Sequence, residues 1–504
     1  MPPSPRTLQP PLKFIPAAYN PWVMRVVHRL LPLLLKIRIR PWLPVGIQRI
    51  EVENVDRLVD LYAELEAGKS RFLMAVRHVE VDDPLSGLYL CSRAVAKAAK
   101  KRGIKLQQPI HTHFLYERGM TIWAGRGLGW LLSRMGGTPI RRGRRPDWVG
   151  LKAARKLLTE GSMPMVLAPE GATNGHSERL GPLEPGVAQL GFWCAEDLQR
   201  EQRPESVYIL PIGIQYRYVQ ANWPKLAALL SQLENRSGLD QTIETASIAA
   251  TADKDCYLRI LRLGEHLITA LETFYDRFYP KIGATCSDQT QGDQTLGDQV
   301  PGDQVPGDQT PDDQVPSEQA LDDAQNSPSV CSKRLQRLLD RALQVSESFF
   351  NLSSKGTLVD RCRRVEEASW QVIYREDFPD DSTRSPLAEG LADWVAQEAS
   401  LRELHMRMVE SFVAVDDVYL KEKPSFERCA EVTLLMSDML ARLSQRTYPG
   451  RPRLGQRWVK MTVQPPIAVS PRLADYQQNR RAGRQAVAAL TEELKVALED
   501  TIAR

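Results

Sequence analysis

A tract of five-residue repeats over residues 287–316 most constrains how this chain can fold. It reads SDQTQ, GDQTL, GDQVP, GDQVP, GDQTP and DDQVP, so it is rich in Gly, Pro, Asp and Gln and lacks aromatic residues. A segment of this composition cannot bury a hydrophobic core. We therefore predict a disordered linker over about residues 283–329, with folded units on either side of it.

The composition of the whole chain is that of a soluble folded protein. Of its 504 residues, 42% are hydrophobic and 25% are charged, which excludes wholesale disorder, a collagen-like chain and a polytopic membrane protein. The length predicts about two to four folded units. Seven cysteines without a CxxC pair argue against a disulfide scaffold or a zinc module and favour a reducing compartment.

The net charge of +4 conceals an uneven distribution of charged residues. Residues 1–220 contain 32 basic and 19 acidic side chains, whereas the remainder contains 34 basic and 43 acidic ones. The first 50 residues contain eight basic side chains and no acidic one. A basic leading part predicts an anionic partner, and phosphate, nucleic acid and anionic lipid all fit this pattern.

Residues 1–44 form a predicted membrane-surface region that contains a basic amphipathic helix from Trp22 to Ile37, with Trp22 and Trp42 at its ends. The apolar side of that helix comprises Val23, Val26, Val27, Leu30, Leu34 and Ile37. Such a helix suits the headgroup layer of a membrane. The alternative is a core helix, and Pro32 argues against any helix here. No secretory signal is convincing, and no window has the roughly 18–20 apolar residues of a spanning helix.

Residues 45–220 alternate between strand and helix patterns. Strand patterns occur at residues 46–53, 72–76, 165–168 and 207–214, and helix patterns occur between them. This alternation predicts an α/β domain. One helix is expected to begin at Asp83-Pro84, with Asp83 as its N-cap.

Residues on both sides of the predicted linker show helical periodicity. The apolar stripes comprise Ile260, Leu263, Leu267, Leu271, Phe274 and Phe278, then Leu335, Leu338, Ala342, Val345 and Phe349, then Leu391, Trp394, Leu401, His405, Met408 and Phe412. Such stripes usually face the core of packed helices. We therefore interpret His405 as a buried core histidine.

His78 and Asp83 are separated by four residues, with His78 after an apolar strand and Asp83 at the start of the next helix. In that arrangement the carboxylate can bind the imidazole, fix its tautomer and stabilise the imidazolium formed on proton uptake. By itself the pair is better explained as a capped helix beside a surface histidine.

Three further motifs follow along the chain. Residues 136–145 combine two glycines, which permit a tight turn, with four arginines that suit phosphate oxygens; a solvated basic loop is the alternative. In Pro169-Glu170-Gly171 the glycine lets backbone N–H groups approach a ligand and the carboxylate can hold a hydroxyl, unless this is only a strand-exit turn. Pro211 breaks an apolar strand, which by itself indicates an edge or a bulge.

The order and spacing of these four motifs resemble those of the glycerolipid acyltransferase superfamily, which includes the lysophosphatidic acid acyltransferases. The resemblance covers about residues 45–220. It implies an α/β fold with a mixed central sheet flanked by helices. It also implies transfer of a fatty acyl group from acyl-CoA or acyl carrier protein to a lysophospholipid hydroxyl, with no cofactor or metal.

The resemblance also implies residue roles. His78 would be the general base, Asp83 would orient it, and Arg142 would bind the acceptor's phosphate. The implied substrate-binding residues are Gly136, Arg141, Arg142, Glu170, Gly171 and Pro211, with Arg144 and Arg145 adding positive potential. The implied partners are a membrane lipid acceptor and the acyl donor rather than nucleic acid, for a cytoplasmic protein peripherally associated with the membrane. The oligomeric state stays open.

The chain departs from the family pattern at two places. Arg77 stands where the family usually has Asn, and Ala172-Thr173-Asn174 replaces Thr-Arg-Ser. Because Thr173 removes one expected phosphate contact, an acyltransferase with a non-phosphate acceptor and a catalytically degenerate lipid-binding protein are the alternatives. We interpret His176 as a surface histidine. The pair in the HTH segment at residues 111–113 is interpreted as structural.

Domains of this type usually place a last strand and helix soon after the Pro-containing strand. Here helices follow instead, and a strand pattern returns only at residues 458–469, before a last helix. We therefore expect residues 221–455 to be a helical insertion that carries the linker. Residues 456–504 would then return to the sheet beside strand 207–214.

Overall fold

The structure is a computed structural model, and part of the chain is described in it. The described residues are 7–9, 11–12, 14–37, 46–121, 125–141, 147–239, 252–280, 330–375, 385–412, 417–444 and 450–502. The predicted linker over residues 283–329 lies outside this part, and so does Trp42.

Eight strands form one mixed sheet in the described part of the chain. The strands are β1 Ile47–Glu53, β2 Ser70–Val76, β3 His113–Glu117, β4 Gly137–Ile140, β5 Met165–Leu167, β6 Ser206–Tyr218, β7 Arg457–Val463 and β8 Ile467–Ala468. Their order is β1-β7-β6-β2-β5-β3-β4, with β8 also beside β6. The five strands from β6 to β4 are parallel, whereas β7 is antiparallel to β6. The expected mixed α/β sheet is therefore confirmed.

Helices surround this sheet, and the described part of the segment between β6 and β7 is mainly helical. They are α1 Pro21–Leu34, α2 Val55–Glu66, α3 Asp83–Tyr89, α4 Ala96–Lys101, α5 Arg126–Arg134, α6 Trp148–Glu160, α7 Gly186–Arg200, α8 Trp223–Ser237, α9 Ala252–Phe278, α10 Val330–Phe349, α11 Leu358–Ile373, α12 Pro386–Phe412, α13 Asp417–Glu422, α14 Phe426–Leu443, α15 Leu473–Gln477 and α16 Arg480–Glu499. A π-helical segment, Leu90–Val95, joins α3 to α4. No described helix has both the length and the apolar character needed to cross a membrane.

Both faces of the sheet are covered by helices. In β2, Phe72 and Met74 pack into one hydrophobic cluster with residues of α1 and α2, whereas Leu73 and Ala75 pack into another with residues of α6, α7 and α16. Side chains alternate between the two faces of a strand, so a strand covered on both sides is apolar throughout. This explains why β2 appears in the sequence as a continuous apolar run.

The chain returns to the sheet after the helices between β6 and β7. β7 pairs antiparallel with β6, from Ile212 opposite Val463 to Tyr218 opposite Arg457. We use the name helical insertion for α8–α14. It has its own hydrophobic core, built from residues such as Leu230, Ile260, Leu338 and Cys429.

Pro211 lies inside a central strand, where β6 runs between β2 and β7. The strand on its β7 side is interrupted at this point, because β7 ends at Val463 and β8 begins at Ile467. The Pro211 carbonyl accepts a hydrogen bond from Gln464 N at 3.0 Å. The interruption lets a residue without an N–H occupy a central strand. Of the edge strand and the bulge that the sequence predicted for Pro211, an irregularity in the pairing is therefore present and an edge strand is not.

The predicted helix stripes are only partly buried. Ile260, Leu263, Leu338 and Val345 are in the core, as expected. The exposed members are Phe274, Phe278, Phe349, Leu391, Trp394 and Leu401. In the first half of α12 the buried positions are instead Ala392, Ala396 and Ala399, whose small side chains allow close packing against α11. In its second half Met408 and Phe412 of the predicted stripe are buried, as expected. His405 is half-buried rather than fully buried, and its Nδ1 meets the Tyr275 hydroxyl at 2.7 Å.

The N-terminal helix α1 has apolar residues on two faces, whereas the sequence predicted one apolar face. Its N-cap is Asn20, whose side chain accepts from Trp22 N at 2.9 Å. Met24, Leu31 and the following Leu35 are buried against the domain. The apolar residues Trp22, Val26, Leu30, Leu33 and Ile37 are instead 47–72% exposed. The helix therefore both packs on the core and carries an exposed apolar ridge.

Candidate active site

The predicted His–Asp pair forms in the structure. His78 lies just after β2, and its Nδ1 is 2.9 Å from Asp83 Oδ2. The His78 side chain is 28% exposed, whereas that of Asp83 is 5% exposed. Asp83 is the first residue of α3 and Asp82 is the N-cap, one residue earlier than predicted. The Asp83 carboxylate turns back toward His78 and Glu80 N instead of capping the helix.

The hydrogen bonds of Asp83 fix the chemistry of His78. Asp83 Oδ2 also accepts from Glu80 N at 3.0 Å, and Oδ1 accepts from the Tyr216 hydroxyl at 2.6 Å. Donors on both oxygens favour the ionised carboxylate. A carboxylate only accepts, so Nδ1 of His78 carries the proton and Nε2 is the basic nitrogen left for an incoming hydroxyl.

Glu170 holds the loop that carries His78 from inside the protein. It follows β5 and is 6% exposed. Its Oε1 accepts from His78 N at 3.0 Å, while its Oε2 accepts from Asn174 Nδ2 at 2.7 Å and Gly181 N at 2.8 Å. Burial raises the pKa of Glu170, against the opposing charge of Arg77. The resemblance implies that Glu170 binds the acceptor; in the structure its oxygens are engaged in holding His78 and the loop that follows.

Arg77 is a fully buried cation beside this loop. Its guanidinium donates to the carbonyls of His176 at 3.1 Å, Ser177 at 2.9 Å and Arg179 at 2.6 Å. Its Nε lies 3.9 Å from Glu170 Oε1. The departure from the family pattern at this position thus has a structural use, because one side chain fixes three carbonyls of the segment after the Pro-Glu-Gly motif.

Gly171 is a position that requires glycine. Its φ is +73°, and a Cβ built there would lie closer than 3.0 Å to Glu184 Oε1. Glu184 in turn forms an ion pair with Arg363 of α11. The helical insertion therefore reaches the Pro-Glu-Gly turn directly.

Of the other predicted substrate-binding residues, Arg141 lies at the same sheet edge as His78, whereas Gly136 lies at the opposite edge, at the amino end of β4, and is not brought to the site. Arg141 follows β4, and its backbone N donates to Asp147 Oδ2 at 2.9 Å. Gly136 precedes β4, and its carbonyl accepts from His113 Nδ1 at 3.1 Å. The predicted phosphate ligand Arg142, together with Arg144 and Arg145, lies outside the described residues.

The histidines of the HTH segment are structural, as expected. His111 Nε2 meets the Met135 carbonyl at 2.8 Å, and both rings are buried. Burial lowers the pKa of His111 to about 3 and also lowers the pKa of His113. Each ring is therefore neutral and serves as a hydrogen-bond donor to a carbonyl beside β4.

The interpretation of His176 as a surface histidine is wrong, because its exposure is 0%. The helical insertion covers it. Its Nδ1 is 3.5 Å from Glu431 Oε2 of α14, and its ring meets that of Tyr419 at 4.8 Å. Glu431 also accepts from Ser177 N at 3.0 Å.

A buried polar network lies behind the dyad and was not predicted from the sequence. Tyr216 of β6 donates to Asp83. Arg457, the first residue of β7, forms an ion pair with Asp82 at 2.7 Å. Arg451, just before β7, pairs with Glu80 at 2.7 Å. The two arginines are more than 350 positions beyond their partners, so no local spacing reveals the contacts. The alternation of apolar residues in β6 was the one signal that Tyr216 points inward.

Comparison with known proteins agrees with this geometry. A family model described as Acyltransferase matches residues 50–215, which include the dyad, Glu170, Gly171 and Pro211. No curated protein and no solved structure matches the chain. Residues 50–215 therefore form an acyltransferase domain of the glycerolipid acyltransferase family.

Proposed function

We propose that the protein transfers a fatty acyl group from acyl-CoA or acyl carrier protein to the free hydroxyl of a lysophospholipid, as a 1-acylglycerol-3-phosphate acyltransferase does. The observation that carries the proposal is the His78–Asp83 contact of 2.9 Å within the acyltransferase domain. The intact dyad disfavours the alternative of a degenerate lipid-binding protein.

In the proposed reaction His78 is the general base. Its Nε2 takes the proton from the acceptor hydroxyl as the hydroxyl oxygen attacks the thioester carbonyl carbon. The new C–O bond gives a tetrahedral oxyanion, whose collapse breaks the C–S bond. The departing thiolate then takes the proton from His78, while Asp83 balances the charge of the imidazolium. General-base assistance of this kind contributes about 10²–10⁴-fold in rate.

The placement of the motifs supports a phosphate-bearing acceptor. Because β2, β5, β3 and β4 are parallel, their carboxyl ends share one edge of the sheet. His78 follows β2, Glu170 follows β5 and Arg141 follows β4, and ligands bind at this edge in open α/β sheets. We assign Arg141, together with Arg142, to the acceptor's phosphate. Thr173 favours the second candidate, an acceptor without a phosphate.

The exposed ridge of α1 supports an acceptor in a membrane. Its five apolar residues are spaced three or four positions apart, as on one face of a helix, and Arg25, Arg29 and Lys36 are exposed beside them. Apolar side chains flanked by cations suit the surface of an anionic bilayer. α1 packs against α3, which begins with the catalytic Asp83. We therefore propose that α1 holds the dyad close to the headgroups.

An acceptor panel tests the proposal. The purified protein would receive radiolabelled acyl-CoA or acyl carrier protein and anionic vesicles containing lysophosphatidic acid, lysophosphatidylglycerol or a long-chain alcohol. Labelled product from a lysophospholipid is the expected result. Product from the alcohol alone would favour the non-phosphate acceptor, and no product from any pair of donor and acceptor would contradict acyl transfer.

A further inference from the structure

The hydroxyl of Tyr216 makes the shortest hydrogen bond described for Asp83, at 2.6 Å to Oδ1. Tyr216 is 5% exposed and lies one residue beyond the matched range of the acyltransferase domain. Its position on β6, beside β2, brings the phenol behind the dyad on the side away from solvent. No substrate can reach this hydroxyl while it is covered, so its action has to pass through Asp83.

We propose that Tyr216 is a positioning residue for the acyl transfer described above, on which this inference rests. Its hydroxyl holds Asp83 in the rotamer that presents Oδ2 to His78. The two oxygens of Asp83 have different partners. Oδ2 accepts from His78 Nδ1 and Glu80 N, whereas Oδ1 accepts from the phenol of Tyr216. A carboxylate anchored through one oxygen cannot rotate away from the imidazole.

Tyr216 is suited to be a permanent donor. Burial raises its pKa well above the ordinary value, and the nearby carboxylates of Asp82 and Asp83 raise it further. The phenol therefore stays protonated over any pH at which an enzyme operates. A hydrogen bond from a neutral donor to a buried carboxylate favours the ionised form of that carboxylate.

The segment that returns from the helical insertion holds Tyr216 in place. The guanidinium of Arg457 lies 4.7 Å from the centre of the Tyr216 ring. The same group binds Asp82 Oδ2 at 2.7 Å and lies 3.5 Å from Glu80 Oε1. Arg451 binds the other oxygen of Glu80 at 2.7 Å.

Two cations thus oppose the three carboxylates of Glu80, Asp82 and Asp83. Both cations come from residues that follow the insertion, so the positioning network is complete only when the C-terminal strand is in the sheet. The matched domain of residues 50–215 contains the dyad but neither Tyr216 nor the arginines that support it.

The test compares Tyr216→Phe with Tyr218→Phe in the full-length protein. Phenylalanine keeps the ring beneath Arg457 and removes only the hydroxyl. Tyr218 is two residues further along the same strand and the same face, and its ring packs on Phe426 instead of meeting the dyad. For each variant kcat and KM would be measured across pH, together with thermal unfolding.

We expect Tyr216→Phe to lower kcat about 10- to 100-fold with KM little changed, the size of effect that follows loss of a hydrogen bond to a charged group. Without its donor, Asp83 binds protons more tightly and attracts the His78 imidazolium more strongly. The acidic limb of the kcat/KM profile should therefore move to higher pH. Tyr218→Phe should leave kcat and this limb unchanged.

A second readout does not depend on activity. Titration of His78 by NMR, with ring-¹³C histidine and assignment by His78→Ala, should show a higher midpoint in Tyr216→Phe than in wild type. An unchanged midpoint, or identical pH profiles for the two tyrosine variants, would overturn the positioning role. If wild-type protein transfers no acyl group, the proposed function fails, while the His78 titration still decides whether Tyr216 acts on the dyad.

Discussion

At the scale of single residues, His78 is held at two separate points. Asp83 binds its ring and Glu170 binds its backbone N–H. Each holder is itself held, Asp83 by Tyr216 and Glu170 by the charge of Arg77. The proposed general base needs a lone pair that points at the proton to be removed, and these contacts fix the orientation of the ring.

Replacing Arg77 with Met should destabilise the fold strongly. The change leaves three loop carbonyls without their donor and Glu170 without its buried counter-charge. Breaking a buried charge pair from one side costs about 3–5 kcal/mol, to be measured as the free energy of unfolding in urea. Arg49→Met is the control, because that side chain is 60% exposed and its pair with Glu51 should contribute about 1 kcal/mol or less. Equal losses in the two variants would contradict the role given to Arg77.

Comparing Gly171→Ala with Gly238→Ala separates the cost of backbone strain from the cost of a steric clash with Glu184. Gly171 and Gly238 have φ values of +73° and +74°, but nothing lies within 4 Å of a Cβ built at Gly238. Gly238→Ala should therefore cost only the left-handed strain of about 1–2 kcal/mol. Gly171→Ala should cost about 1–3 kcal/mol more, because Glu184 has to move. Thermal unfolding of both variants measures the difference, and equal costs would show that the Glu184 contact is easily displaced.

The dyad residues were predictable because His78 and Asp83 are close in sequence and belong to a set of four motifs whose order and spacing resemble those of a known family. The resemblance also pointed to Glu170 and Gly171, but the hydrogen bond from His78 N to Glu170 was not predictable from it. The contact between Tyr216 and Asp83 was not predictable. Asp83 follows another strand, and only the register between β2 and β6 brings the two together.

At the scale of elements, α1 combines the two interpretations that the sequence left open. One side packs on the domain through Met24 and Leu31, and the other exposes a ridge of five apolar residues. The amphipathic pattern alone could not separate these faces, because apolar residues occur on both. Which face is buried depends on where α3 and the sheet lie.

The exposed ridge predicts binding to anionic vesicles. Replacing Trp22, Leu30 and Leu33 with Ser should reduce cosedimentation with such vesicles at least tenfold, since burial of a large apolar side chain is worth about 1.5–3 kcal/mol. The matched control replaces the exposed apolar residues Leu391 and Trp394 of α12 with Ser. Equal loss of binding in the two proteins would show that exposed apolar area alone, and not α1, drives association.

The stripe on α12 shows why helix faces are hard to assign. Leu391 and Trp394 are exposed, because the first half of the helix packs through its alanines, whereas Met408 and Phe412 of the same stripe are buried further along. Close approach of two helices favours small side chains at the contact, and hydropathy gives alanine little weight. Periodicity therefore predicted the helix and the buried face of its second half, but not the buried face of its first half.

At the scale of the whole molecule, the helical insertion contacts the loops that surround the candidate active site at the sheet edge. The insertion covers His176 through α14, contacts the Pro-Glu-Gly turn through Arg363, and leads into the segment that supplies Arg457. Alternation of strands and helices predicted the sheet, and the late strand pattern predicted its completion by β7. The contacts between the insertion and the catalytic loops were not predictable, because they join residues far apart in sequence.

Buried neutral histidines should make the protein sensitive to acid. Burial lowers the pKa of His111 to about 3 and that of His405 to about 4, against about 6.5 in an unfolded chain. The unfolded state therefore binds more protons below pH 6.5, and the free energy of unfolding should fall as pH drops from 6.5 toward 4. Urea denaturation across this range should show a shallower fall in His111→Gln than in His266→Gln, the half-buried control on α9. Parallel curves would contradict the assignment.

The most direct test of the central claim is the single-turnover rate of acyl transfer to a vesicle-borne lysophospholipid by wild-type, His78→Ala and His266→Ala proteins. If His78 is the general base, His78→Ala loses about 10²–10⁴-fold in rate while its thermal unfolding and its vesicle binding match wild type, and His266→Ala keeps the wild-type rate. Equal rates in His78→Ala and wild-type protein would contradict the account.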